Sequence, residues 1–408
     1  MELPIVAFPT YIEEMSTEFA GLFRQGRQLN QFKRVVTAFP LAERCTIAHM
    51  NGLFTHHTNQ SNLNRLVTES RWKIEDIIRI KIDMLNRVEG KGIVVIDDYL
   101  VEKYGKEIYG VDWHHDHAKG RKVWGIQVAD CVLSGKGINP LLSTVYVRKG
   151  SRWLASSSDF RTKIEIQKEH LSLLVKMDLQ FSCVVMDKWY FCKGLADHIE
   201  DLKKDWIAQS KSNRKTWFHG KWVSLSTFAQ EMIKNTKLRF RVVNVGNDKY
   251  LMKAFTVRMK GMGRVRLLVS YNEHDNFNFY VSNRLDWNEV TMARKYSLRW
   301  DIEVWHREGR GNYGLEDCQL RSYEGVSKYL TLSSLAANLL ELASMLSPVY
   351  AYLTKRDWTP ELKHRWVVAE IVGQLITSAC KIENTEVRRI AESIFCPYKS
   401  TMGKRGAG

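Results

Sequence analysis

Over the first ninety residues, apolar side chains recur at helical intervals. In Leu63 to Arg87 (LNRLVTESRWKIEDIIRIKIDMLNR), the residues Leu66, Trp72, Ile77, Ile80 and Met84 stand at such spacings with charges between them, which predicts helix. The pattern changes at Gly92. The run from Gly92 to Ile96 (GIVVI) is short, β-branched and followed by two aspartates, Asp97 and Asp98; it reads as a strand buried on both faces. Strand-like runs follow at 122–134 (KVWGIQVADCVLS) and 141–148 (LLSTVYVR), then a helix from Ile164 to Met177. A second buried strand, 182–187 (SCVVMD), ends in Asp187, and 192–208 reads as helix. Three strands, a helix, a strand and a helix predict an α/β layered domain with a mixed sheet. From 220 to 284 the runs FRVVNV, KYLMKAFTVRM, RVRLLVSY and FNFYVSN predict a mainly β insertion. A helix is expected from Asn288 to Arg310, and the apolar 325–395 stretch reads as a helical cover or association surface.

Composition narrows the class. Of 408 residues, 44% are hydrophobic and 26% charged, with 7 prolines, which suits a globular chain without long disordered linkers. The N-terminal MELPIVAFPTYIEEM has no basic start and no clean apolar run, so it does not read as a secretory signal. No run of about 18 consecutive apolar residues marks a membrane span, and a cytosolic, nucleoid-associated protein is expected. Seven scattered cysteines (45, 131, 183, 192, 318, 380 and 396) form no CxxC pair and read as buried free thiols rather than a zinc site or disulfide framework. The net charge of +16 is uneven: residues 91–310 carry 38 basic and 25 acidic side chains, a net +13. That excess points to a polyanionic partner, although solubility alone would also use it.

The acids supply the candidate chemistry. Asp97 and Asp98 end one buried strand and Asp187 another, and ligand sites of open α/β sheets gather at strand ends; turn or cap residues are the plain alternative. A third feature is Tyr296-Ser-Leu-Arg299-Trp-Asp-Ile-Glu303, with Arg310 seven residues on. On a continuous helix these four residues fall within a sector of about 60°. A phenol, a carboxylate and two guanidinium groups on one stripe suit a face that binds metal and phosphate together; a surface Arg299–Glu303 pair is the plainer reading. His114, His115, Asp116 and His117 are consecutive and cannot converge on one ion from a strand, so turn or DNA-contact roles are expected. Lys119, Arg121 and Lys122 beside them read as phosphate contacts or a solvated basic turn. Trp189, Trp287 and Trp300 lie near the acids in sequence; core packing is the first expectation for each, with stacking on a flipped base as the alternative.

Together these residues resemble the bacterial insertion-sequence DDE transposases, whose signature around the glutamate is Y-x2-R-x3-E-x6-K. Tyr296, Arg299 and Glu303 match it, with Arg310 in place of the lysine. VVIDDY at 94–99 is similar to the family's first-aspartate strand and VVMDKWYF at 184–191 to its second; GVDWHHDHAKGRKVWG (110–125) resembles the segment between them. The resemblance spans roughly 90–340. It implies an RNase H-like mixed-sheet catalytic core (91–218 and 285–325) with a β-strand insertion (219–284). Helical regions are expected on both sides, a DNA-binding one at 1–90 and a C-terminal one at 326–408. It also implies a transposase that cleaves transposon ends and joins the 3′-hydroxyl to target DNA, working as a homodimer on paired inverted-repeat ends. Two magnesium or manganese ions would be held by Asp98, Asp187 and Glu303, about 3.5–4 Å apart. Tyr296, Arg299, Arg310, Lys119, Arg121 and Lys122 would touch DNA. The choice of Asp98 over Asp97 rests on the resemblance, because both faces of the strand are apolar; Tyr99 departs from the small hydroxyl residue common at the next position. An RNase H-like structure-specific nuclease and a non-catalytic DNA-binding descendant remain as alternatives.

Overall fold

The computed structural model describes residues 2–116, 119–234, 239–245, 248–271, 277–346 and 359–380. The chain forms two compact units: a helical one (Met1–Val88, Val101–Val111, Arg307–Gly408) and an α/β one (Glu89–Leu100, Asp112–His306).

The helical unit begins with α1 (Thr10–Met15), α2 (Gly26–Ala38), α3 (Ile47–Gly52), α4 (Gln60–Thr68) and α5 (Ile74–Arg87). The periodic stretch 63–87 is helical as expected and is shared between α4 and α5. Trp72 lies between them and donates its Nε1 to the Leu66 carbonyl at 2.8 Å, using the indole to fasten the turn. The strands and helices of the α/β unit follow in sequence. They are β1 (Gly92–Glu102), β2 (Asp112–Asp116), β3 (Arg121–Ser134), β4 (Asn139–Tyr146), α6 (Lys163–Lys176), β5 (Phe181–Met186), α7 (Lys193–Asp201) and β6 (Asp205–Ser210). The strand-rich stretch comprises β7 (Lys215–Phe218), β8 (Lys221–Ser224), α8 (Leu225–Lys234), β9 (Arg241–Val245), β10 (Asp248–Met259), β11 (Gly263–Tyr271) and β12 (Phe277–Ser282). The chain continues through α9 (Glu289–Ser297), α10 (Trp300–Asn312), α11 (Tyr323–Leu346) and α12 (Pro360–Cys380).

Five strands carry the core of the sheet, in the order β4-β3-β1-β5-β6. β3 and β4 are antiparallel, whereas β1, β5 and β6 run parallel, with α6 and α7 as the crossovers that parallel pairing requires. That order and direction define an RNase H-like mixed sheet. β6 replaces the end of the helix expected over 192–208: α7 stops where Lys203 adopts φ 58°, and the apolar Trp206-Ile207-Ala208 then pairs with β5. The strand-rich stretch extends this same sheet, since β12 pairs antiparallel with β6 and β11, β10, β7 and β8 follow in order. The helix expected over 288–310 is broken at Leu298–Arg299. Bonds of the i→i+3 kind, Arg299 N–H to Tyr296 O (2.9 Å) and Asp301 N–H to Leu298 O (3.1 Å), tighten the chain there.

In the helical unit α11 is the central element, touching α1, α2, α4 and α5. It is as long and apolar as a membrane span, and 78% of that window is buried inside the protein. Its Tyr329 hydroxyl lies 2.9 and 2.8 Å from the carbonyl oxygens of Cys45 and Gly314. Of the cysteines, 45, 131, 183 and 318 are buried, Cys192 is half-buried and Cys380 exposed; Cys396 lies outside the described residues, as do 381–395 of the expected helical tail.

Gly314 sits at φ +64°, and a Cβ there would stand 2.1 Å from the Cys45 Cβ and 2.7 Å from the Tyr329 hydroxyl. Gly314→Ala should therefore lower the unfolding free energy by about 2–4 kcal/mol through overpacking and backbone strain. A urea midpoint equal to that of the wild type would contradict this packing.

Candidate active site

The site is set by strand register. Ile96 on β1 pairs with Met186 on β5; one step further come Asp97 and Asp187. Registered residues of parallel strands point to one face, so these two carboxylates are neighbours. Burial, then the Asp187 charge, push Asp97 up to about 7, against the opposing effects of His306 and the Asp98 N–H. Asp187 is held by its own loop: Oδ1 accepts the backbone N–H groups of Trp189 (2.8 Å) and Tyr190 (3.0 Å).

Glu303 joins through Arg299. One guanidinium nitrogen lies 2.5 Å from Glu303 Oε1 and the other 3.9 Å from Asp97 Oδ2, so a single cation spans the first and last acids. The break at Leu298 leaves Arg299 in the turn before α10 and Tyr296 at the end of α9, where its ring packs on Tyr280 with centroids 4.4 Å apart. The single stripe expected for Tyr296, Arg299, Glu303 and Arg310 is therefore not formed. Arg310 belongs to the helical unit and pairs with Glu316 at 3.6 Å.

Asp98 takes the other face of the sheet. Its carboxylate accepts from Lys163 Nζ (3.0 and 3.1 Å), the Tyr190 hydroxyl (2.8 Å) and Gln127 Nε2 (2.5 Å). Burial and the Asp98 charge hold the Tyr190 phenol well above its ordinary range, so it remains a donor. Asp98, expected as a metal ligand, has its lone pairs filled by protein donors, and Asp97 occupies the place beside Asp187. The physical reason is parity: adjacent residues of one strand cannot share a face.

The remaining expectations separate. Trp287 is buried, with Lys295 over its ring at 4.8 Å. Trp189 and Trp300 are instead 46% and 56% exposed, and Lys163 sits 4.0 Å over the Trp189 ring. His114 is buried and its imidazole is lowered to about 4 by desolvation, while His115 on the next position is exposed; His117 lies outside the described residues. Lys119, Arg121 and Lys122 are exposed at the β2–β3 turn. Lys163 was not anticipated, although a lysine at the first position of a helix opposes the helix dipole and so already asks for a partner.

Three carboxylates form a hard-oxygen donor set of the kind that suits magnesium or manganese, and the raised Asp97 marks a place short of positive charge. Among the described residues no three His, Cys, Asp or Glu side chains are gathered closely enough to hold an ion as they stand; Arg299 lies between two of them.

Residues 165–339 match the family model described as a transposase DDE domain, and residues 32–225 the model described as a DDE superfamily endonuclease. A probable transposase for insertion sequence element IS701 from Microchaete diplosiphon is 24% identical over 340 residues, covering 80% of this chain and 86% of that protein. Among solved structures, a piggyBac transposase synaptic complex with hairpin DNA aligns over 98% of this chain and 83% of its own, with a TM-score of 0.46 and 11% identity. The NurA nuclease from Sulfolobus solfataricus aligns over 70% and 94%, with a TM-score of 0.27 and 10% identity. At such scores the fold assignment rests on strand order and direction, not on these likenesses.

The raised Asp97 has a measurable consequence. Its folded pKa of about 7 exceeds its ordinary 3.8, so the proton is bound more tightly in the folded state. The associated stability is complete below about pH 4 and is lost as pH rises through 7. In chelator-treated protein, the melting temperature of the wild type should fall between pH 5 and pH 8 more steeply than that of Asp97→Asn. Parallel slopes for the two proteins would show that Asp97 titrates normally.

Proposed function

We propose that this chain, which belongs to the insertion-sequence DDE transposases, cuts DNA at transposon ends with Asp97, Asp187 and Glu303. The observation carrying the assignment is the shared register of Asp97 and Asp187, with Arg299 reaching from Asp97 to Glu303. DDE-superfamily nucleases work with divalent metal ions, and two magnesium or manganese ions held by these carboxylates would neutralise charge on the attacking and leaving oxygens.

The chain's own groups do the rest. Arg299 balances the acids until DNA is bound, then turns its planar fork to a backbone phosphate, which releases Glu303. Tyr296 lies beside it to orient the same phosphate. A water oxygen attacks the phosphorus at the element's end, and the 3′-oxygen leaves with a proton as a hydroxyl. That hydroxyl then attacks a target phosphodiester, displacing its 3′-oxygen. Asp98 acts on the opposite face, where it anchors Lys163 and Tyr190 and so fixes the loop that carries Asp187. The net +13 of residues 91–310, including Lys119, Arg121 and Lys122, supplies the footprint on duplex DNA, and two copies work on paired ends.

Duplexes bearing the sequence that flanks the gene test the assignment. Asp97→Asn, Asp187→Asn and Glu303→Gln should each abolish magnesium-dependent nicking while gel-shift binding persists. Asp98→Asn should keep about 1–10% of the activity, the loss typical of an outer-shell partner. An inactive Asp98→Asn beside an active Asp97→Asn would return the ligand role to Asp98. With roughly six phosphate contacts, log K against log salt should slope near −5; a slope shallower than about −2 would remove the basic excess from the footprint.

A further inference from the structure

Helix α10 is fastened to β3 on both sides of Glu303. Two residues before the glutamate, the Asp301 carboxylate accepts from the Ser134 hydroxyl. Two residues after it, Trp305 donates Nε1 to Asp130 Oδ2 at 2.7 Å, and His306 brings Nε2 to 3.5 Å from the same oxygen. Asp130 is wholly buried. Its other oxygen accepts from the Ser143 hydroxyl (2.9 Å) and the Cys131 N–H (3.0 Å). A carboxylate in the middle of an apolar strand is costly unless its lone pairs are filled. Packing Trp305 and His306 against β3 would need no charge there, so the carboxylate calls for another explanation.

His306 supplies one. Its ring lies 4.7 Å from that of Tyr99, which follows Asp97 by two residues on β1 and so shares its face. The imidazole is thus wedged between the strand bearing the first acid and the helix bearing the last. Nε2 has no hydrogen-bond partner of good geometry, while Asp130 lies close enough to orient the ring electrostatically.

We propose that Asp130 and His306 are positioning residues of the carboxylate site, fixing the rotation of α10 over β1 and β3 so that Glu303 can share a divalent cation with Asp97 and Asp187. This inference rests on the reading of those three carboxylates as cation ligands. In this reading Asp130 and His306 bind neither the cation nor DNA; they act through the helix, and His306 also by its charge on the neighbouring Asp97, in the way outer partners of metal ligands hold the ligands in place.

Manganese binding by the full-length protein, read from the electron paramagnetic resonance signal of the free ion, tests this apart from catalysis. Asp130→Asn and His306→Phe should each weaken manganese binding about 10–100-fold, with melting temperatures close to that of the wild type. His306→Phe keeps the ring against Tyr99, so it remains informative even if Asp130→Asn fails to fold. The double variant should lose less than the two single losses combined, because both act on one contact. His306→Gln, which retains a nitrogen near the Nε2 position, should recover part of the affinity. Wild-type manganese affinity in both single variants, or a lowered melting temperature with unchanged affinity, would overturn the proposal and leave the pair a packing role. A wild-type protein that binds no manganese, matching Glu303→Gln, would overturn the carboxylate reading itself and this inference with it.

Discussion

Adjacent parallel strands carry Asp97 and Asp187 one step past their last paired residues, and the repulsion between those carboxylates governs what surrounds them. β1 and β5 are buried on both faces, so neither acid can escape far into solvent. The fold answers with two separate devices. Asp187 is satisfied locally, by the N–H groups of the loop that follows it. Asp97 keeps an elevated proton affinity, with one backbone donor, the Asp98 N–H at 2.8 Å, and a long contact to Arg299. The unequal treatment leaves a position where an added positive charge is favourable, which is what a site assembled for cations should have.

On the opposite face, the same parity that brings Asp97 toward α10 gives Asp98 to α6. There Asp98 and Lys163 form an ion pair with side chains only 14% exposed. Such a pair is weak evidence for stability, since both charges lose hydration. Its value is specificity: Lys163, Tyr190 and Gln127 come from three different parts of the chain, and all must be in place before Asp98 is satisfied. The tyrosine ties that network to the loop holding Asp187. One strand therefore carries a half-satisfied acid on one face and a fully satisfied one on the other.

Much of this arrangement was legible in the sequence. The buried runs at 92–96 and 182–186 lack the alternation of a solvated strand, and acids stand at their ends, where open α/β sheets gather ligand sites. What could not be read was which of two adjacent acids faces Asp187 and Arg299. Both faces of β1 are apolar, so the answer lies in the pairing with β5, a contact between residues about ninety apart. The breaks in helices were hidden for a local reason. Lys203 ends α7 from the left-handed region, and Leu298 and Arg299 end α9, with no glycine or proline to mark either place. Asp130 was visible all along as a lone acid inside IQVADCVLS, but its partners Trp305 and His306 are about 175 residues away and only the fold joins them.

The break at Leu298 also changes what Arg299 can do. On a continuous helix, an arginine one turn before Glu303 would be a surface salt bridge of small value. Set in a tight turn at the start of α10, Arg299 reaches Asp97 as well as Glu303, and it does so from a half-buried position. A guanidinium engaged by two carboxylates has few of its five in-plane donors left for a phosphate. On the proposed function, cation binding by the acids and phosphate binding by Arg299 would be linked, each removing a competitor of the other. By reciprocity of binding free energies, whatever DNA gains from bound metal, metal gains from bound DNA. On the proposed function, a carboxylate site guarded in this way would hold its cations best with the substrate present, which would restrain cleavage away from the bound ends.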